Sequence, residues 1–260
     1  MDVLYAGSLA HLFESTLAPA FDKSSGDSFT GFAAGSKELA SEVKGKVRRA
    51  DVFLSASPKV NATLEGSANG DWVSWYASLA SAPLVLGYDP HSAFAARIRT
   101  QPWYDVIDLP GFRVGRTDPS LDPKGALTVE AIHQAEGIAH APGLAAVVDS
   151  TSNVFPEESL VGELQSGQLD AGFFYTNEAK AAGIPTVSLA PVHVGASYTV
   201  TVLARAPHPA EAAAFVAYLY SAAGRRILEA SGLDVAPRPH VTGDAGAVPP
   251  ALRTVLGVGG

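Results

Sequence analysis

The sequence predicts an α/β fold of two lobes, each a mostly parallel sheet flanked by helices, joined by a hinge. Three observations predict it. Over the first ninety residues, short apolar runs alternate with stretches of helical periodicity. The middle third repeats the alternation. Finally, 260 residues without a linker, internal repeat or low-complexity block is rather large for a single core. An interleaved path resolves this, with residues 1–83 and 192–260 forming one lobe and 84–191 the other.

The elements follow in order. Val3-Leu4-Tyr5 reads as a strand that runs through Ala6-Gly7 into Ser8. Beyond it Leu9, Leu12, Phe13, Leu17 and Phe21 recur at helical spacing. A second strand, Phe29 to Ala33, passes through Ala34-Gly35 into Ser36 and a helix carrying Leu39 and Val43 on one side. Asp51 to Leu54 is a buried strand, and Ser57-Pro58 opens a helix with Ser as N-cap and Pro at the first position. Leu84 to Tyr88 and Phe112 to Gly115 are further strands. Asp122-Pro123 starts a helix reaching about Gln134, while residues 137–153 read as loop with a short helix. Pro156 opens a helix that ends near Gly167, Ala171 to Tyr175 is a buried strand, and Val192 to Leu203 alternates as a long strand. Helices over Pro209 to Tyr220 and Ala222 to Ser231 stop at Gly232. Residues 234–260, rich in Pro and Gly, read as a loosely structured wrap.

Composition narrows the function. Hydrophobic residues at 47% and charged residues at 17% indicate a globular chain. The net charge of -8, with no basic tract standing out, argues against nucleic acid as a partner. It does not argue against small anions, which neutral amides can hold. The absence of Cys removes disulfides, thiolate metal sites and a Cys nucleophile. No apolar run approaches the ~20 residues that span a bilayer. No charged-then-apolar leader precedes the first strand, and the expectation is that a signal peptide has been removed.

The most informative feature is a repeated strand-to-helix junction, Ala6-Gly7-Ser8 and Ala34-Gly35-Ser36. In each, Gly permits close backbone approach and Ser stands at the expected cap, where a helix presents unpaired N–H groups. Two such helix starts make an anion site from amides, hydroxyls and partial positive charge. Read singly, each is also an ordinary cap and turn. Asp122 and Glu157 carry the same ambiguity: Asp before Pro123 suits an N-cap, and Glu157 lies in the first turn of its helix. Tyr175, closing a buried strand, reads equally as core. The seven His residues lack metal spacing, Asp105, Asp118 and Asp122 form no hard-cation loop, and neither a nucleophile elbow nor a P-loop is present. Trp72, Trp75 and Trp103 read as packing residues.

These junctions, with Ala50-Asp51-Val52, Ser55-Ala56-Ser57, Asp122-Pro123-Lys124-Gly125, the segment Ser166 to Tyr175 ending Gly-Phe-Phe-Tyr, and the helices from Ala213 to Leu228, resemble the molybdate/tungstate-binding proteins of bacterial and archaeal ABC importers. The likeness spans about residues 3 to 235 and is most specific in the two Gly-Ser junctions and the Asp-Pro-Xaa-Gly and Gly-Phe-Phe-Tyr segments. It implies an exported, non-enzymatic, monomeric receptor, periplasmic or membrane-associated, whose lobes close over a dianion that it passes to a membrane permease. The expected ligand is molybdate or tungstate, with no cofactor. Carried over by motif, Ser8 and Ser36 would donate hydroxyl and backbone hydrogen bonds, Tyr175 its phenol, and N–H groups near Lys124 and Glu157 would complete the cage. The likeness to the tungstate-binding branch implies that Asp122 and Glu157 coordinate the metal directly. Lys124 departs from that branch, where a small residue or Cys is more usual, and its side chain points to solvent or adds a cation at the edge of the site. Two other classes stand beside this reading. One is a receptor for phosphate, sulfate or an organic anion; the other is a cytoplasmic effector-sensing module or transferase of the same fold.

Overall fold

The computed structural model describes residues 1–139 and 143–259. Its chain divides into two units, Met1–Ser81 with Ser197–Gly260, and Ala82–Ala196. It passes from one to the other inside the strand Trp75–Tyr88 and returns inside Gly195–Val202.

In the first unit, strand Asp2–Ala6 is the middle of a parallel trio. It pairs with Thr30–Ala34 on one side and Val52–Ser55 on the other. Val3 to Ala6 are buried without alternation, as expected for a strand covered on both faces. The return strand then lies antiparallel on Val52–Ser55, so the sheet is mixed and the expected parallel arrangement is confined to the trio. The helical run 7–25 buries Leu9, Leu12, Phe13, Leu17 and Phe21, the stripe its spacing predicts. It contains a π turn at Phe13–Leu17, which ends two positions before Pro19. Proline has no N–H for the carbonyl one turn back, and the wider turn accommodates that gap. Phe21 meets Phe215 of the helix Pro209–Tyr220 edge-on at 5.1 Å. Helix Ser36–Lys44 covers the other face, packing Leu39 and Val43 with Leu4 and Phe53.

The loosely structured wrap expected for 234–260 is overturned. Asp234–Val235 and Val241–Gly243 add antiparallel to the 75–81 portion of the long strand, and Pro250–Leu256 is a helix packed against Pro209–Tyr220. Val248, Leu252 and Leu256 recur every four residues and are buried, so one apolar face drives the packing. The Pro and Gly content marks the turns between these short elements.

In the second unit, Leu84 to Tyr88 pair antiparallel with Ala171–Tyr175 and, on the other side, with Thr186–Ser188. The short strand Val114–Gly115 is parallel to Ala171–Tyr175, and Arg116 next to it makes a parallel bridge to Val154. Helix Glu157–Gln165 packs Leu160 and Leu164 onto Val85 and Phe174. The helix from Pro123 runs to Ala139, longer than its sequence suggests. Of the loop and short helix expected over 137–153, residues 140–142 lie outside the described residues, and Leu144–Asp149 is the helix. Trp75 and Trp103 are core residues, the latter donating its indole N–H to the Leu189 carbonyl at 2.9 Å.

Asp170 anchors the start of the Ala171–Tyr175 strand. Its carboxylate accepts the Arg113 backbone N–H at 2.8 Å, the Arg113 guanidinium at 3.0 and 3.1 Å, and the Ser92 hydroxyl at 2.8 Å. Burial pushes this carboxyl up, but the hydrogen bonds from Arg113 and Ser92 reverse that and hold it below the ordinary carboxylate range. A lowered native pKa contributes stability above the unfolded value, ~3.9, and that contribution is lost as pH falls through the native value. Asp170→Asn is therefore expected to cost about 1.5–3 kcal/mol near neutrality. In urea melts run at a series of pH values, the gap between variant and parent should close only in acid. A gap unchanged down to pH ~3 would remove the charge from this account.

Candidate functional site

In the first unit the register Ala6↔Ala34 and Tyr5↔Leu54 sets the carboxyl ends of three parallel strands side by side. That edge is where α/β layers bind ligands. The sequence places Ser8 and Ser36 at helix caps, and here the structure corrects it. The cap of helix Ser36–Lys44 is Gly35, so Ser36 is the first helical residue, and Ser8 lies inside the turn Gly7–Leu9 capped by Ala6. Neither hydroxyl caps its own helix. Ser8 Oγ stands 2.8 Å from the Tyr198 hydroxyl, and Ser36 Oγ accepts the Ala56 N–H at 3.1 Å. The Ser55 hydroxyl accepts the Ser57 N–H at 3.1 Å and donates to the Ser57 carbonyl, closing the turn after the third strand. Ser57 occupies the cap position of the helix Pro58–Ala62, with Pro58 first as its sequence predicts, but its side chain makes no capping hydrogen bond. Sequence reasoning missed Tyr198. The available signal was the alternation along Gly195–Val202, which puts Ala196, Tyr198 and Val200 on one face.

In the second unit, Asp122 does cap its helix: its carboxylate accepts the Lys124 N–H at 3.1 Å. Gly125 follows because a side chain there would collide with backbone, 2.4 Å from the Thr117 carbonyl and 2.7 Å from Pro119 N. The Asp-Pro-Lys-Gly motif is thus a tightly seated helix start. Lys124 does not point to solvent. It has no exposed surface, and its ammonium donates to both oxygens of Glu178 at 2.8 and 3.0 Å and lies 3.5 Å from Glu157. The rings of Phe174 and Tyr175 flank it at 5.7 and 5.9 Å. Glu178, another residue that sequence reasoning missed, also accepts the Tyr175 N–H at 3.3 Å. Its place three residues after the strand end, in the first turn of helix Thr176–Ala181, was the legible hint. Arg116 is buried too, its guanidinium reaching the carbonyls of Val147, Thr117, Val148 and Ser150. Burial pushes its pKa down.

Asp122, Lys124, Glu157 and Glu178 therefore form one buried electrostatic cluster with three carboxyl groups and one ammonium. Burial opposes the charge on Lys124, but Glu178, Glu157 and Asp122 together hold its pKa above the ordinary lysine value. Glu157 behaves differently. Burial and then the Asp122 charge push its carboxyl well above the ordinary glutamate range, against the pull of Lys124. Both its oxygens are buried without a hydrogen-bond partner among the described residues. Burial raises Glu178 as well, with Lys124 pulling it back. The cluster has a committed pair, Lys124 with Glu178, and beside it Glu157, a carboxyl of raised proton affinity.

Among the described residues no group of three His, Asp or Glu side chains is arranged to hold a metal ion. What this arrangement can do is receive a group that engages a carboxyl, next to a fixed cation.

The two carboxyls should respond oppositely to neutralisation. Glu178→Gln breaks a buried pair and is expected to cost about 3–5 kcal/mol. Glu157→Gln removes a group whose ionisation the fold resists. A raised native pKa favours the fold below the unfolded value, ~4.3, and that benefit disappears as pH rises through the native value. Denaturant melts should show Glu157→Gln gaining on the parent as pH rises above ~4.3. Equal losses from both substitutions at neutral pH would contradict the division of roles.

Residues 1–234 match the family model described as bacterial extracellular solute-binding protein. A putative ABC transporter molybdenum-binding protein of Haloferax volcanii is 31% identical over 191 residues, covering 73% of this chain and 59% of the relative. The molybdate-binding protein ModA of Mycobacterium tuberculosis is 31% identical over 214 residues, 76% of this chain and 70% of its own. In fold, the chain is similar to the Azotobacter vinelandii periplasmic molybdate-binding protein, with a TM-score of 0.69, 18% identity, and coverage of 92% and 100%. These relatives are solute-binding proteins, not enzymes. The match to the family model runs through both Gly-Ser junctions, the Asp122 helix start and the Gly-Phe-Phe-Tyr strand. The chain belongs to the bacterial extracellular solute-binding protein family.

Proposed function

We propose that the chain is the extracytoplasmic receptor of an ABC importer, acting as a monomer, and that its cargo is molybdate or tungstate. The observation that carries the cargo assignment is Glu157, a buried carboxyl with no hydrogen-bond partner among the described residues and a raised pKa beside the Lys124 ammonium. An ionised carboxylate repels an incoming dianion strongly at low dielectric. A carboxyl of raised proton affinity, when it carries that proton, meets the dianion without that repulsion. It can then ligate the metal while its proton passes to an oxo group, so that charge is conserved. An oxyanion whose central atom expands its coordination suits this chemistry. The relatives named for molybdate and molybdenum support the same reading.

In this proposal Ser8 and Ser36, with the N–H groups of their helix starts, hydrogen-bond the oxo groups. Asp122 and Glu157 coordinate the metal, Tyr175 donates its phenol, and Lys124 supplies the compensating positive charge. Asp122 keeps its capping bond, since a carboxylate has two oxygens. Of the amides expected near Lys124, the Lys124 N–H is already taken by Asp122. Loading shifts a conformational equilibrium that the permease reads.

Ser8→Ala and Ser36→Ala are each expected to weaken oxyanion binding by about 1–3 kcal/mol, the range for charge-assisted hydrogen bonds. Ser36→Ala also strands the buried Ala56 N–H, so its affinity loss is to be compared with its apo stability. Unchanged affinity by calorimetry in both variants removes these junctions from the site.

Asp122→Asn and Glu157→Gln should weaken tungstate binding by far more than they change apo stability, and the metal-edge absorption spectrum of the complex should show six coordination. A four-coordinate spectrum with near-parental affinity in Asp122→Asn, which caps about as well, would mean that both carboxyls serve the fold alone. Competition among molybdate, tungstate, sulfate and phosphate tests the cargo. Phosphate carries a proton near neutrality that Asp122 or Glu157 is able to accept, so tight phosphate binding would overturn the assignment in favour of that anion.

A further inference from the structure

The first unit holds a second feature that the oxyanion reading does not use. A cavity of about 360 Å³ opens at the far end of the helix Ser36–Lys44, over a floor of Val43, Ala50 and Leu203. Lys46, Arg48, Arg49 and Arg205 line it, with Trp72 as a wall. The run Lys44-Gly45-Lys46-Val47-Arg48-Arg49 is a basic tract after all, short enough to be passed over in a chain of net charge -8. The fold adds Arg205 to it from more than 150 residues away. The cavity is not part of the serine edge: Lys44 lies eight residue steps along the helix from Ser36, about 12 Å at 1.5 Å per residue.

Two of these cations are occupied. Arg48 pairs with Glu42 at 2.8 Å and covers the Phe32 ring at 3.4 Å. Arg205 donates to the Gly70 carbonyl at 3.0 Å and stacks on Trp72 at 4.4 Å. Lys46 and Arg49 are exposed and form no ion pair among the described residues. The carbonyl end of one helix accounts for a cation or two in its last turn. It does not account for a guanidinium brought from residue 205 and stacked on an indole at the wall of a cavity.

We infer that this cavity is a second binding site, for a phosphate group borne on a small organic body. Guanidinium forks match phosphate oxygens in pairs, and Lys46 adds a point charge. The apolar floor and the Trp72 face take the organic part, and a volume of about 360 Å³ suits a ligand of that size. A free phosphomonoester and an anionic phospholipid headgroup present this same chemistry.

The test has two arms, both with molybdate in excess to occupy the oxyanion site. In one, glycerol 3-phosphate and inorganic phosphate are titrated calorimetrically. In the other, the protein is sedimented with vesicles of phosphatidylglycerol in phosphatidylcholine, or of phosphatidylcholine alone. Each is repeated with Lys46→Glu/Arg49→Glu, whose thermal unfolding and molybdate affinity should match the parent, and with Arg205→Gln, whose molybdate affinity should match the parent. Loss of about five-fold in affinity per cation removed, in either arm, is the expected result, and the arm that responds identifies the source. Binding in neither arm, or equal binding by the charge-reversed variant, overturns the site. If the proposed oxyanion function failed, molybdate would not bind, which is a separate readout from this one.

Discussion

A lysine with no exposed surface governs the second unit. An unpaired ammonium there would be too costly to bury, so Lys124 must be matched, and the fold supplies Glu178 in a two-point contact. That requirement draws together the helix start at Asp122, the first turn of the helix at Glu157, and the end of the strand at Tyr175. It also leaves one carboxyl in excess. With Glu178 committed, Glu157 sits beside Asp122 without a hydrogen bond, and its proton affinity rises in consequence. A pairing that serves stability thus leaves a carboxyl of raised proton affinity beside it.

The first unit rests on a different constraint, the register of its parallel trio. Because Ala6 faces Ala34 and Tyr5 faces Leu54, three strands end at one edge and their successors begin there together. Gly35 and Ala6 occupy the capping positions, which frees the following serines from local duty. Their hydroxyls are held by partners distant in sequence, Tyr198 and Ala56. A hydroxyl oriented from outside its own helix keeps its direction when that helix frays. The proposed oxyanion contacts depend on that orientation.

The opposite end of the same layer has the opposite character. Hydroxyls and helix starts crowd the carboxyl edge, while Lys46, Arg49 and Arg205 crowd the cavity beyond Val43. The helix separates the serine edge from this cavity by its length, and its dipole favours cations at the end where they are found. An acidic chain concentrates part of its scarce positive charge at one apolar hollow. For a receptor that works beside a membrane, as proposed here, that placement has an evident use.

Much of this protein was legible from sequence. Apolar runs and helical stripes located the first strands and the long helices, because burial imposes a period on the chain that local spacing reveals. The two Gly-Ser junctions and the Asp-Pro-Lys-Gly start were visible for the same reason: glycine and proline mark backbone geometry directly. What the sequence left undetermined were partners far apart along the chain. Ser8 with Tyr198, Lys124 with Glu178 and Trp72 with Arg205 join residues separated by 54 to 190 positions or thereabouts, and no local pattern records such pairs. The tail showed the same limit, where Pro and Gly disguised short elements that pack only because the strand 75–81 and the helix Pro209–Tyr220 are already in place. The sequence by itself determined the α/β class and most element positions, and it singled out the residues proposed to contact an anion. Tertiary structure decided which side chains those residues meet, because burial and charge act through distance in space and not along the chain.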